Sequence, residues 1–307
     1  MAQINNVATN IISGFLGVGK TSAILSLFKQ KPENQKWAVL VNEFGETGID
    51  GNIYQSHGIA VKEIPGGCMC CAQGLPLQVA VNRLLKATRP DRLIIESSGA
   101  GHASGVLKTL NGKDFINILT LKASICLLDP ENLLDENYLD NELFQQQLML
   151  ADVLIANKTD LASAEALQKF HHMSQRFKIA KSYITETVHG KLELKWLDLA
   201  CTPRRDEKAF IKITAPGKTE WQTHSLSFPA STCFDQQRLI HWIKSLDVIR
   251  LKGILKTEQG DFLFNYVSGS LEHQRIKTNA TNKLQLIHYR IDVDNINSGL
   301  RKCTVES

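Results

Sequence analysis

Up to about residue 200, short and wholly apolar runs alternate with longer stretches in which apolar residues recur every three or four positions. Runs of the first kind suit strands buried on both faces, and stretches of the second kind suit helices packed against them. Ile11-Ile12 reads as the end of such a strand, Trp37–Val41 as a second and Val61–Ile64 as a short extended piece. Leu93–Ile95 ending at Glu96, Ile125–Asp129 and Val153–Ala156 read as further strands. Ser22–Phe28, Leu75–Lys86, Leu143–Leu150 and Ala162–Phe177 have helical spacing, whereas Asn42–Gly51 reads as a loop. Strands and helices in alternation predict an α/β fold, a three-layer arrangement around a parallel sheet.

The pattern breaks at Thr202–Lys208 and Ala215–Lys218, where Pro203, Pro216 and Gly217 stand among charged residues. Thr223–Phe228 then alternates like a strand, and Phe234–Leu246 reads as a helix. Arg250–Leu255 and Phe262–Val267 are placed to pair as a hairpin across Thr257–Asp261, and His288–Val293 reads as another strand. The expected organisation is a nucleotide-binding domain over 1–205, a linker over 206–220 and a smaller α+β domain over 221–307. There is no internal repeat and no low-complexity tract.

Gly14-Phe15-Leu16-Gly17-Val18-Gly19-Lys20-Thr21 is a complete G-x-x-x-x-G-K-[ST] phosphate loop between a predicted strand and a predicted helix. That context makes the motif meaningful. Gly14, Gly17 and Gly19 let the backbone curl until its N–H groups, with those of Val18 and Ser22, point at phosphate oxygens. The helix N-terminus adds partial positive charge. Lys20 can reach the β- and γ-phosphates, and the Thr21 hydroxyl can bind Mg²⁺.

Asn157-Lys158-Thr159-Asp160 follows a buried strand and matches N-K-x-D, the guanine-reading element of GTPases. A carboxylate at Asp160 can accept two N–H bonds from the guanine edge; Asn157 and Lys158 brace the loops and cover the ring. GTP and GDP are therefore the expected nucleotides. Glu96 ends an apolar strand, where a carboxylate can hold Mg²⁺ directly or through water. Gly99, three residues on, can offer its N–H to the γ-phosphate. Glu43 and Glu46 lie in the loop after the second strand, within reach of Mg²⁺ or the attacking water. Ala100-Gly101-His102 follows Gly99, so no glutamine is placed to orient that water.

Cys68-Met69-Cys70-Cys71 presents three thiols within four residues. In an extended chain Cys68 and Cys70 point the same way, and a turn can bring Cys71 to them. Thiolates suit Zn²⁺ and Cu⁺ and can take Co²⁺ or Ni²⁺. Three local thiols do not close a tetrahedron, so the fourth ligand must be a distant side chain, a water or a group on a client protein. His57 and His102 are the side-chain candidates. Cys126, Cys201, Cys233 and Cys303 stand apart and read as structural.

The bulk numbers narrow the setting. A chain of 307 residues, 43% hydrophobic and 21% charged, with net charge +4, has neither a nucleic-acid footprint nor a membrane patch. Its first residues lack the basic and apolar regions of a signal peptide, and no uncharged apolar run reaches the roughly 18–20 residues of a transmembrane helix. Seven cysteines, three of them crowded together, make a poor disulfide framework. A reducing cytoplasm is the expected location.

Taken together, GFLGVGKT, VNEFGETGID, GGCMCC, IIESSG, NKTD and the late RLKGIL resemble the CobW-like GTPases, P-loop proteins implicated in metal insertion, and within them the YeiR-like branch. The resemblance implies an N-terminal GTPase domain, Zn²⁺-linked behaviour and a C-terminal domain of a sheet with helices. Two features depart from the family pattern. The region around Trp221–His224 lacks the histidine-rich stretch of many relatives, and Ala100–Ala103 replaces the usual continuation after Gly99. The resulting expectation is a Mg²⁺-dependent GTPase that holds Zn²⁺, Co²⁺ or Ni²⁺ at Cys68, Cys70 and Cys71 and passes it to a client metalloprotein. A metal-responsive regulatory GTPase without delivery, and a zinc-storage protein with an inactive phosphate loop, are the alternatives. Metal- or nucleotide-dependent self-association stays open.

Overall fold

The structure, a computed structural model, describes residues 4–42, 49–64, 75–97, 103–177, 181–202, 222–248, 250–267, 270–276, 282–288 and 292–305. The chain forms two compact units, one of Met1–Glu43 and Ile59–Pro216, the other of Phe44–Gly58 and Gly217–Ser307. Among the described residues no helix is long and apolar enough to cross a membrane.

In the first unit β1 (Val7–Gly14) lies inside an eight-stranded sheet. The other strands are β2 (Trp37–Asn42), β3 (Ala60–Ile64), β4 (Arg92–Glu96), β5 (Leu119–Leu121), β6 (Ile125–Leu128), β7 (Val153–Ala156) and β8 (Tyr183–Glu186). The order is β3-β2-β4-β1-β6-β7-β8, with β5 beside β1, and every pairing is parallel. β4, β6 and β7 are buried along their whole length, which is why they read as unbroken apolar runs. α1 (Lys20–Gln30), α3 (Leu75–Thr88), α4 (Ala103–Leu110), α6 (Glu142–Leu150) and α7 (Ala164–Phe177) link the strands, with single-turn helices α5 (Glu136–Leu139) and α8 (Leu194–Leu197). Leu77, Val81 and Leu85 of α3 and Val106 and Leu110 of α4 pack with Leu40, Leu93 and Ile95 of the sheet in one buried cluster.

A polar network fastens the strand starts. Asn10, fully buried, donates through Nδ2 to the carbonyls of Ala123 and Leu197, both at 2.9 Å. Its Oδ1 accepts from Arg92 Nη1 at 2.6 Å, while Arg92 Nη2 pairs with Asp198 and the guanidinium lies 5.3 Å from the Trp37 ring centre.

Among the described residues the second unit contains α2 (Ile49–Ser56), a five-stranded antiparallel sheet and two further helices. The strands are β9 (Gln222–Ser227), β10 (Arg250–Thr257), β11 (Gly260–Val267), β12 (Ser270–Arg275) and β13 (Lys283–His288), in the order β12-β11-β10-β13-β9. Leu239 and Ile243 of α9 (Gln236–Lys244) and Ile296 and Leu300 of α10 (Val293–Lys302) share one core with Leu251, Leu255, Phe264, Leu284 and Leu286.

Several elements differ from the sequence reading, for identifiable reasons. α7 starts at Ala164 rather than Ala162, because the Ser163 hydroxyl accepts from the N–H of Ala166 as a cap. α9 starts at Gln236, because Asp235 caps it and Phe234 is drawn into bridges with Thr257 and Thr304. The helix α2 covers Ile49–Ser56, so Ile49–Gly51, read as part of a loop, are helical. Of the strand expected over His288–Val293, residues 289–291 lie outside the described residues; His288 belongs to β13, and Val293 opens α10 behind its cap Asp292. The hairpin turn is tighter than Thr257–Asp261, since Thr257 already pairs with Gly260.

The Arg92 network yields a stability test. Arg92→Met leaves the buried Asn10 Oδ1 without its donor, so unfolding in urea should show a loss of about 1–3 kcal/mol. Asp198→Asn, on the solvent side of the same pair, should change stability by no more than about 0.5 kcal/mol.

Candidate nucleotide site

The site is built at the C-terminal ends of β1, β4, β6 and β7. Gly14 ends β1 at φ +140°, and a Cβ there would stand 2.3 Å from the Leu127 carbonyl oxygen of β6. The loop can therefore leave the sheet at this point only on glycine. Phe15 anchors it from below, edge-on to Tyr138 at 4.6 Å between ring centres. Gly19 caps α1 in the left-handed region. Lys20, buried beneath the loop, donates through Nζ to the carbonyls of Gly14 and Phe15, both at 2.9 Å. This holds its ammonium at the loop mouth, where phosphate oxygens would compete for it.

The parallel register of β1 and β4 sets Ile12 beside Glu96. Glu96 is 4% exposed, and its Oε1 accepts from the Thr21 hydroxyl at 3.2 Å. Two hard oxygens, one anionic, are thus gathered at the N-terminus of α1. That is the donor set Mg²⁺ takes beside phosphate oxygens, so these residues fit the ion.

Asn157 ties the loops together. Its Nδ2 donates to the Val18 carbonyl at 2.8 Å, and its Oδ1 accepts from the Gly190 N–H at 2.9 Å. A Cβ on Gly19 would come within 2.6 Å of that same Nδ2. Lys158 takes a left-handed φ of 62° and pairs through Nζ with Asp129 Oδ2 at 3.2 Å. Asp160 lies at the rim, its Oδ2 3.8 Å from His189 Nε2. Gly190, at φ +66°, packs so closely that a Cβ would meet the Ala23 nitrogen at 2.9 Å.

The structure thus brings Gly14, Gly17, Val18, Gly19, Lys20, Thr21, Ser22, Glu96, Asn157, Lys158 and Asp160 to one edge of the first unit. Glu43, Glu46, Cys68, Cys70, Cys71, Gly99 and His102 lie outside the described residues. His57 is described; it follows α2, and its Nδ1 sits 2.9 Å from the carbonyl of Ile53 in that helix. Among the described residues no group of three or more His, Cys, Asp or Glu is gathered for a metal. Cys126 lies wholly inside β6, and burial pushes its thiol up to about 11, partly offset by the Ser13 hydroxyl. It stays a neutral thiol at physiological pH, as a structural residue should.

Sequence reading overlooked two contributors. Asp129 reads in the sequence only as the end of a strand, yet it holds Lys158. The Thr187–Gly190 loop follows β8, a half-exposed strand with no apolar run to announce it. Thr187 closes on the N-K-x-D segment, its carbonyl accepting from the Thr159 hydroxyl at 3.2 Å. The residue types of Glu-Thr-Val-His-Gly carry a turn signal only at Gly190.

A parallel sheet with a glycine loop, a buried lysine and a Thr–Glu oxygen pair at its C-terminal edge defines a P-loop nucleotide-binding protein. Residues 8–185 match the family described as CobW/HypB/UreG, nucleotide-binding domain, and residues 223–304 match the cobalamin synthesis protein cobW C-terminal domain. The chain belongs to this CobW family. It is 40% identical to the zinc chaperone YeiR of Escherichia coli K12 over 82% of this chain and 84% of that protein. It is 31% identical to the zinc chaperone CobW of Pseudomonas aeruginosa over 63% of this chain and 60% of that one. Among solved structures, the Zn(II)-bound YjiA GTPase of E. coli aligns over 97% of this chain and 99% of its own, at 21% identity and a TM-score of 0.45.

Asn157→Ala cuts the tie between the phosphate loop and the Gly190 loop. Binding of a fluorescent GDP analogue should weaken by about ten- to a hundredfold, the equivalent of two buried hydrogen bonds at ~1 kcal/mol each. The circular dichroism spectrum should be retained.

Proposed function

We propose that this chain is a Mg²⁺-dependent GTPase that takes Zn²⁺, or Co²⁺ or Ni²⁺, at Cys68, Cys70 and Cys71 and hands it to a client metalloprotein. The observation that carries the GTPase half is the Thr21–Glu96 contact at the mouth of a lysine-bearing glycine loop. The metal half is supported by the three neighbouring thiols and by relatives named zinc chaperones. The nucleotide domain is assigned to 1–205, the linker to 206–220 and the second domain to 221–307, and the reading places the protein in the cytoplasm.

In this reading Gly14, Gly17, Val18, Gly19 and Ser22 wrap the phosphates with backbone N–H groups, and Lys20 exchanges its carbonyl partners for phosphate oxygens. Thr21 and Glu96 hold Mg²⁺, which supplies positive charge to the transferring phosphoryl. Glu43 reaches the metal or the attacking water, and Gly99 donates its N–H to the γ-phosphate. Asp160 accepts from the guanine edge, while Asn157 and Lys158 keep its loop against the phosphate loop. The cysteines lie in sequence between Glu43 and Glu96, so a change of nucleotide state has a route to the thiolate spacing. Thiolate sites are sensitive to ligand spacing.

GTP should outcompete ATP; Asp160→Asn should weaken GTP by about ten- to a hundredfold, a loss of ~1.5–3 kcal/mol for hydrogen bonds to a charged group, and should gain xanthine nucleotides. Lys20→Ala should lower kcat by about 10²–10³-fold, the scale for one lost charge-stabilising donor. Equal competition by ATP refutes the base assignment, and normal turnover by Lys20→Ala refutes the site.

Zn²⁺ affinity, read against a chromophoric chelator, should be tighter with a non-hydrolysable GTP analogue than with GDP. The expected difference is roughly 5–150-fold. Serine at Cys68, Cys70 and Cys71 should abolish the difference and leave GTP binding intact. Equal Zn²⁺ affinities in the two nucleotide states would reduce the cysteines to a passive metal site. Appearance of the metal in an apo-metalloprotein incubated with Zn²⁺-loaded protein and GTP separates delivery from regulation.

A further inference from the structure

Helices α9 and α10 bury one stripe each in the core of the second unit. Beside those stripes the two helices border an open groove of about 630 Å³. That is far more than one ion fills and lies inside the roughly 300–1,000 Å³ range of ligand sites. On α9 the groove is lined by Arg238, His241 and Trp242, at i, i+3 and i+4; on α10 it is lined by Asn295, Gly299 and Lys302, at i, i+4 and i+7. Each spacing keeps its residues on one helix face. Gln237 and Ser245 mark the ends along α9, about 12 Å apart at 1.5 Å per residue.

The floor and the rim differ in chemistry. Ile296 is buried in the floor, and Trp242 and Leu246 are partly buried against the same core. Trp242 is seated by Gly299: a Cβ at that position would stand 2.1 Å from its Nε1. The indole therefore lies against the backbone of α10, fixed in place and still half-exposed. Arg238, His241 and Lys302 are exposed on the rim, and no carboxylate lines the groove. The Arg238 guanidinium reaches Asp235 only at 3.7 Å, in a pair whose arginine side chain is 67% exposed. Such a surface pair is weak, so a partner's carboxylate can take its place.

We propose that this groove docks a segment of a partner protein that carries an apolar anchor flanked by Asp or Glu. The anchor packs on Trp242, Leu246 and Ile296, and the carboxylates pair with Arg238 and Lys302. A fixed tryptophan beside an arginine is the composition of interface hot spots, and an apolar groove between two helices is a recurrent seat for a short peptide segment. Recession of the apolar floor between two helices favours a protein segment over a flat anionic membrane. The surface lies wholly within the second unit and uses none of the nucleotide or cysteine residues, so it stands independently of the GTPase and metal readings.

The test selects a phage-displayed library of random short peptides on the full chain and titrates the most enriched peptide, fluorescently labelled. Enriched peptides should combine carboxylates with an aromatic or aliphatic anchor, and binding should weaken with added salt. Arg238→Glu with Lys302→Glu should weaken binding by about tenfold or more. In the unmutated chain the bound peptide should slow amide exchange in α9 and α10, a readout that does not depend on how the variant folds. No enrichment, enriched peptides without carboxylates, equal binding by the charge-reversed chain, or protection confined to other elements would each overturn the proposal. Phosphatidylglycerol vesicles that bind the full chain and lose that binding on charge reversal would overturn it in favour of a membrane. A dimer that the same reversal dissociates would overturn it in favour of a second copy of this chain.

Discussion

The carboxamide of Asn157 spans the space between two loops that are far apart in sequence, giving a hydrogen bond to Val18 and taking one from Gly190. Only a side chain with a donor and an acceptor on one short stem can do both. An aspartate would set a negative charge against the Val18 carbonyl, and a longer amide would collide with Gly19, which already lies within 2.6 Å of Nδ2 at the position of a Cβ. The residue is 2% exposed, so neither bond is shared with water. The shape of the phosphate loop, the position of the N-K-x-D segment and the seat of the Gly190 loop all follow from this one group.

Around that tie the parallel sheet divides the labour. Strands β1, β4, β6 and β7 are buried almost throughout and supply rigidity. Because all of them run the same way, their C-terminal ends deliver Gly14, Glu96, Asp129 and Asn157 to one edge. Short functional side chains can then converge without long loops, and their backbones are held by the sheet rather than by the ligand. Lys20 shows the consequence: its ammonium already points at the loop mouth, held by two carbonyls. Little reorganisation is left for the moment of binding.

The second unit uses the opposite economy of form. Its antiparallel sheet has one face covered by α9 and α10 through Leu239, Ile243, Ile296 and Leu300. An apolar face of this kind leaves any polar residue at its margin conspicuous. His224 and His288 occupy that margin on neighbouring strands, one diagonal step apart.

The sequence by itself determined the strands that are buried on both faces, because a run such as Leu93–Ile95 has no alternative to the core, and it determined the glycine loop and the N-K-x-D segment, whose residue types are dictated by contact with phosphate and base. Helix starts at Ala164 and Gln236 were blurred because a cap is a single hydrogen bond rather than a pattern. α10 was hidden because only Ile296 and Leu300 are buried in its polar length, and a fold must supply the surface that makes two residues into a face. Tertiary structure alone decided the partners: Asp129 for Lys158, Thr187 for Thr159, Gly190 for Asn157, His288 beside His224. Each of those contacts joins segments about thirty or more residues apart, and local propensity carries no information on which strand will lie next to which.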